Sequence, residues 1–266
     1  MAGTPNAKWT DADAYQAYIG RWSAVVAPKF LAWLDAPRRG RWLDIGCGPG
    51  TLTLAILAEY DPAQAVGVDP SPAFVEGARS RVSDPRASFA IGTAESLPPG
   101  LTLFDAVVAG LVLNFVPDKA AAVTAMTAAA RPGGVVGAYV WDYGEGMQLL
   151  RHFWDAAADL DPAAVELDEG RRFPDFGNRQ LPELFAAELD DVASDGIVVD
   201  TRFATFDDYW RPFTGGQGPA PTYAMSLDED RRAALQEHIR SRLPIAADGS
   251  IALTARAWAV RGRRRS

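Results

Sequence analysis

Apolar residues recur at helical spacing near the start of the chain. Trp22, Val25, Val26, Phe30, Trp33 and Leu34 fall three or four positions apart or adjacent, the mark of a helix with one buried face. Pro28 lies inside that run and lacks an amide hydrogen, which predicts a break there. A turn cluster, Ala36-Pro37-Arg38-Arg39-Gly40, follows. Short apolar runs then alternate with helical stretches. Strands are predicted over 41–45, 65–68, 88–91, 104–111 and 135–141, and helices over 51–59, 71–81 and 118–130. Leu52, Ala55 and Ile56 face inward in the helix over 51–59. Ser71 predicts an N-cap for the next helix, and Pro132-Gly133-Gly134 a stop for the one after it. The run 104–111 is almost wholly apolar, as a central parallel strand buried on both faces requires.

After Trp141 the pattern changes. Residues 146–159 read as an aromatic helix, Arg171-Arg172-Phe173-Pro174 as a loop and 181–189 as a short helix. A strand is predicted over 196–200, an aromatic-rich stretch over 206–213, a glycine/proline linker over 215–221, a helix over 227–243 and an alternating strand over 251–260. Strands alternating with helices at this spacing give an α/β fold with a doubly wound, mostly parallel sheet. The two late strands bring the sheet to seven. The organisation read from the chain is a helical lead-in and lid over 1–40, a nucleotide-binding core over 41–145, and a last stretch, 146–266, that completes the sheet around helical cap insertions, one domain in all. Such sheets bind ligands beyond the carboxyl ends of their strands, so the loops after the first four strands are where chemistry is expected.

Composition narrows the function. Of 266 residues, 34 are Asp or Glu and 26 Lys or Arg, a formal charge of −8. An acidic surface repels phosphate backbones, so nucleic acid is not the expected partner. The C-terminal Arg261, Arg263, Arg264 and Arg265 are expected to be a solvated chain end. Cys47 is the single cysteine, so no intrachain disulfide forms and a reducing compartment is expected. Met1–Thr10 has no apolar leader, and the most apolar stretch, 106–116, is about half a membrane span. A cytoplasmic monomer or homodimer is expected, with no membrane partner. No Cys/His cluster has metal-ligand spacing, so no metal site is expected.

The sequence Leu43-Asp44-Ile45-Gly46-Cys47-Gly48-Pro49-Gly50 follows a strand and opens a helix. Glycines there let the backbone turn tightly and approach a ligand. Asp69 ends the second strand, where a carboxylate accepts both ribose hydroxyls of an adenosine ligand. The dinucleotide fingerprint wants a third glycine where Thr51 stands. Asp44 also argues against a dinucleotide, because its carboxylate repels a pyrophosphate. It suits instead the ammonium and sulfonium of S-adenosylmethionine (SAM).

These residues resemble the class I SAM-dependent methyltransferases, in particular the small-molecule group called methyltransferase type 11. The likeness continues through Val66-Gly67-Val68-Asp69, Gly92-Thr93-Ala94-Glu95-Ser96-Leu97-Pro98, Phe104-Asp105-Ala106-Val107-Val108, Leu111-Val112-Leu113-Asn114-Phe115-Val116-Pro117-Asp118 and Arg131-Pro132-Gly133-Gly134. It spans about 41–141, and the flanks follow the family only in layout. The resemblance implies the Rossmann-like methyltransferase fold and SAM as cofactor. Gly46, Cys47 and Gly48 then lie against the methionine part, with the Cys47 side chain a small apolar filler. Asp69 binds the ribose and Pro70 packs on the adenine. Many relatives place an acid where Thr93 stands. Its absence leaves the Ala94 amide and the Glu95 side chain as substitutes. Leu111 offers backbone near the methionine end, and Tyr18 and Arg21 of the lead-in reach the SAM carboxylate.

Methyl transfer is an in-line displacement that needs mainly positioning and shielding. The acceptor is expected to be a small molecule in a pocket lined by Phe115, Trp141, Tyr143, Trp154, Trp210 and Phe213. Arg171, Arg172 and Arg211 are candidates to pair an acidic acceptor or to form surface ion pairs. His152, His238, Asp142 and Tyr143 are the candidate bases and Asn114 a candidate to orient the acceptor. None is assigned as catalytic. A non-catalytic SAM-binding protein and an NAD-dependent oxidoreductase remain the alternative readings.

Overall fold

The computed structural model describes residues 20–215 and 218–266. Tyr18 lies outside them. The helix α1 (Arg21–Leu34) runs through Pro28 without a break. The lost amide bond is outweighed by burial, since Val26, Ala27, Phe30, Leu31 and Leu34 are all sealed from solvent. Then follow β1 (Arg41–Ile45), α2 (Thr51–Tyr60), β2 (Gln64–Asp69), α3 (Pro72–Arg81), β3 (Ala87–Ile91) and β4 (Phe104–Gly110). Ser71 caps α3 as expected, accepting from the Phe74 amide. Asp118 caps α4 (Lys119–Ala129) by accepting from the Ala121 amide at 2.9 Å. The strand β5 (Ala130–Trp141) begins earlier than expected. Ala130 already pairs with Phe104, so sheet pairing ends α4 and the Pro-Gly-Gly sequence lies inside the strand.

The remaining elements are α5 (Gln148–Leu160), α6 (Glu169–Arg172), α7 (Leu181–Glu188), β6 (Leu189–Phe203), α8 (Phe206–Trp210), α9 (Pro219–Ser226), α10 (Glu229–Arg242) and β7 (Ile251–Arg264). The expected loop at Arg171-Arg172 is helical because Asp168 caps it, accepting from the Gly170 amide at 2.8 Å. The sheet has seven strands in the order β3-β2-β1-β4-β5-β7-β6. β3, β2, β1, β4 and β5 pair in parallel and β7 runs antiparallel to β5.

The basic end of the chain is not a solvated tail. It forms the second half of β7, and its arginines reach helix ends. Arg261 donates to the Trp33 carbonyl at the end of α1. Arg264 donates to the carbonyls of Ala128, at 3.0 Å, and Ala130 at the end of α4. Arg265 reaches Ala187, at 3.2 Å, and Ala186 at the end of α7. Helix C-termini expose unpaired carbonyls and carry partial negative charge, which is why guanidinium groups settle there.

Two compact units divide the chain. The larger comprises Ser23–Trp141, Asp175–Ile197 and Ala257–Ser266; the smaller gathers Asp142–Pro174 and Val198–Arg256 with the described residues up to Trp22. The smaller unit is built on aromatic rings. Phe153 stacks on Phe213 at 4.4 Å and meets Trp154 edge-on at 5.1 Å, and Tyr209 bridges Phe203 and Phe213. No helix among the described residues is long and apolar enough to cross a membrane.

Candidate functional site

In the larger unit the loops after β1, β2 and β3 are stitched together through their backbones. The amides of Gly46 and Cys47 both donate to the Val68 carbonyl, at 2.7 and 3.1 Å. The Asp69 carboxylate accepts from the Gly48 amide at 3.0 Å and from the Ser71 amide at 2.9 Å. Its carbonyl accepts from the Gly92 amide at 3.2 Å. Asp69 is buried, which pushes its carboxyl up, against the pull of the two amides. Each oxygen holds one amide and keeps acceptor capacity for further donors.

Gly46 and Gly48 both adopt left-handed backbone, φ 69° and 51°. Their surroundings differ. A Cβ on Gly46 would lie 2.6 Å from a Val112 methyl, whereas a Cβ on Gly48 would meet nothing within 4 Å. The first glycine therefore makes room for Val112, and the second leaves open floor. The Cys47 thiol points into a core cluster with Val75, Ala78, Val82 and Phe89. Burial pushes that thiol far up, so it is packing, and what Cys47 turns toward the loop is backbone.

Asp44, at the end of β1, is 2% exposed. Its Oδ2 accepts the Thr53 hydroxyl at 2.6 Å, and its Oδ1 has no hydrogen-bond partner among the described residues. Burial, with a smaller push from Asp69, raises its pKa from 3.8 to about 7. Thr53 was not among the residues singled out from the sequence. Its place one turn into the helix after the glycine loop is the signal that could have found it.

Beyond β4 the backbone is strained. Leu111 has φ 61° and donates its amide to the Tyr139 carbonyl at 2.8 Å. A short turn, Leu113–Phe115, follows. Asn114 within it is 3% exposed, with neither amide atom paired among the described residues. Phe115 is 38% exposed, while Trp141 is buried with its indole N–H unpaired among the described residues. In the loop after β3, Thr93 accepts from the Ser96 amide at 3.1 Å, Ala94 is buried and Glu95 half-buried. Pro70 is exposed.

The other expected site residues belong to the smaller unit. Tyr143, Trp154 and Trp210 are all buried. Tyr143 contacts Phe173 at 5.9 Å, and Trp210 contacts Phe153 and Phe213. Trp154 donates its indole N–H to Glu169 at 2.5 Å, a buried carboxyl raised to about 7 by burial. Beside it Asp168 holds an ion pair with Arg151. Arg21 is paired with Asp208 at 3.2 Å and lies over the rings of Trp22 and Phe203. Asp142 is gripped by Arg256 at 2.6 Å, and His238 bonds Asp159 at 3.0 Å. His152 is half-buried, and burial lowers its pKa. Arg171, Arg172 and Arg211 are exposed. Among the described residues no group of three His, Cys, Asp or Glu is placed to hold a metal.

A parallel sheet with a reversed last strand, a glycine loop after β1 and acids at the ends of β1 and β2 make an α/β fold whose ligand crevice is expected beyond the carboxyl ends of these strands. Residues 43–134 match the methyltransferase domain family. Trans-aconitate 2-methyltransferase of Methylobacterium radiotolerans is 39% identical over 103 residues, 39% of this chain and 38% of that protein. Demethylmenaquinone methyltransferase of a Roseiflexus species is 38% identical over 106 residues, 40% of this chain and 44% of that protein. The chain thus spans about two fifths of the length of these curated relatives. The fold is shared with the YcgJ protein of Bacillus subtilis, with TM-score 0.56 and 20% identity over 92% of this chain and 99% of that one. It is also shared with phosphoethanolamine N-methyltransferase 2 of Haemonchus contortus in complex with SAM, with TM-score 0.61 and 16% identity over 100% of this chain and 61% of that one.

Proposed function

We propose that this protein transfers the methyl group of SAM to a small-molecule acceptor. The observation that carries the proposal is the unpaired Oδ1 of buried Asp44 at the head of a glycine loop whose floor is open at Gly48. A carboxylate oxygen buried without a donor is costly, and the ammonium of the methionine part is the donor it lacks. Gly46, Cys47 and Gly48 offer that part a surface without side chains. Asp69, with acceptor capacity to spare on both oxygens, takes the ribose hydroxyls. Pro70, Thr93, Ala94 and Glu95 serve the adenine end, and the Leu111 backbone the methionine end. Bound SAM supplies a methyl group already activated by its positive sulfur. The protein's own work is to orient the acceptor and keep water out. The names of the two relatives support small-molecule acceptors, and Phe115 and Trp141 are proposed to face one.

Calorimetric titration with S-adenosylhomocysteine and, in parallel, NADH tests the cofactor. Binding of the first alone is expected, and Asp69→Ala weakens it by about 1–3 kcal/mol. Binding of NADH alone would overturn the reading. Transfer of labelled methyl from SAM into a metabolite extract tests turnover, and binding without any transfer would leave a SAM-binding protein in place of an enzyme.

A further inference from the structure

Asp44, Asn114 and Trp141 each bury a polar atom that has no partner among the described residues. They lie at or just beyond the carboxyl ends of β1, β4 and β5, which are neighbours in the sheet. The other such groups of the larger unit, the Trp42 indole and the Thr127 hydroxyl, lie at the start of β1 and on α4. β4 ends at Gly110, paired to Tyr139, and β5 runs two residues further to Trp141, while the turn carrying Asn114 packs on β5. Asn114 and Trp141 are each 3% exposed. Buried polar groups ordinarily have partners, so each group left without one needs an explanation, of which a bound ligand is one.

We propose that the methyl acceptor is a carboxylate whose oxygens are held by the Asn114 amide and the Trp141 indole N–H. The inference rests on the methyltransferase reading and gives its substrate class. The Trp141 indole N–H only donates and the Asn114 amide offers an NH2 donor as well as its Oδ1, so an acceptor oxygen satisfies two of these three unpaired atoms. Residues 111–117, Leu-Val-Leu-Asn-Phe-Val-Pro, and 138–141, Ala-Tyr-Val-Trp, hold no Asp, Glu, His or Lys. An acceptor that arrives already ionised needs no base from these segments. Carboxylates are ionised at neutral pH, whereas phenols and alcohols are not. The acceptor oxygen supplies the electron pair of the new O–C bond, and the pair of the broken C–S bond stays on sulfur. The carboxylate becomes a neutral ester, the sulfonium a neutral thioether, and no proton moves.

The test gives the protein methyl-labelled SAM and a metabolite extract, then treats the products with mild alkali. Esters release the label as methanol; ethers and methylamines keep it. Alkali-labile label is expected, and label that resists alkali overturns the proposal while leaving the methyltransferase reading intact. No transferred label, with no S-adenosylhomocysteine binding, overturns both. A second measurement titrates trans-aconitate and benzoate into the S-adenosylhomocysteine-loaded protein. Asn114→Ala and Trp141→Phe each weaken carboxylate binding about tenfold and Asn114→Asp weakens it further, whereas Trp141→His, which keeps a ring N–H, restores part. S-adenosylhomocysteine affinity stays within about twofold in every variant. Variants that lose S-adenosylhomocysteine instead, or a wild-type protein that binds neither acid, place these two residues elsewhere in the reaction and refute the proposal.

Discussion

Replacing Asp44 by Asn separates the structural cost of that carboxylate from its use. The native carboxyl titrates at about 7 and the unfolded one near 3.8. Below about pH 4 both states are protonated and burial carries no penalty. As pH rises the unfolded state loses its proton first, so stability falls until the native carboxyl has ionised near pH 7, and is level above it. At about 1.4 kcal/mol per pH unit the full penalty is about 4 kcal/mol, an upper bound for one desolvated group. Asparagine does not titrate. Its oxygen still accepts the Thr53 hydroxyl, while its NH2 replaces the unpaired Oδ1 and costs about 1–3 kcal/mol at any pH. The stability of Asp44→Asn relative to wild type should therefore rise by about 3 kcal/mol between pH 5 and pH 8.5, about 6 °C or more in Tm for a chain of this size. Calorimetric unfolding at the two pH values measures it. The same variant should bind SAM about 10- to 100-fold more weakly at pH 8.5, the scale of a charged hydrogen bond. A stability difference that is the same at both pH values would refute the reasoning, because it would mean that Asp44 is solvated or already paired.

Gly46→Ala should destabilise the protein by about 1–3 kcal/mol, because its Cβ meets Val112. Gly46→Ala with Val112→Ala should recover part of that loss, and strictly additive effects in denaturant unfolding would contradict the contact. Glu169 titrates at about 7 against an ordinary 4.5, so wild-type stability falls as pH rises through that window. Glu169→Gln should gain up to about 3 kcal/mol relative to wild type from pH 4 to pH 8, and a flat difference in thermal unfolding would argue against a buried acid. Arg264→Ala should cost about 1–2 kcal/mol by uncapping α4, with Lys a poor replacement; an unchanged Tm would show that those carbonyls are solvated instead.

The alternation of apolar runs and helices was enough to read the parallel part of the sheet, because its inner strands are mostly buried apolar residues with few polar positions to blur them. Single-element signals were weaker where tertiary contacts decide. Pro28 stays inside α1 because five neighbours are sealed in the core. The loop expected at Arg171-Arg172 is helical through Asp168, a cap read only once its partner amide is seen. The terminal arginines looked like a charge run because their partners are main-chain carbonyls far away in sequence. Around the site, the glycine loop, Asp44 and Asp69 are legible as a motif. Val112 against Gly46, Thr53 under Asp44 and the unpaired Asn114 are not, since each depends on what lies across the fold. One motif residue has a different reason for being there. Asp105 accepts from the Arg41 amide at 2.8 Å and from Arg131 at 2.6 Å, so it pins the entry to the sheet.

Arg261 and Arg264 of β7, with Arg265 just beyond it, link the ends of α1, α4 and α7 to a single segment late in the sequence. Neutralising those three macrodipoles requires closing loops of up to about 230 residues. Assembly of this unit is therefore expected to be slow and to reach completion only after β7 has docked, with each helix end fraying until then.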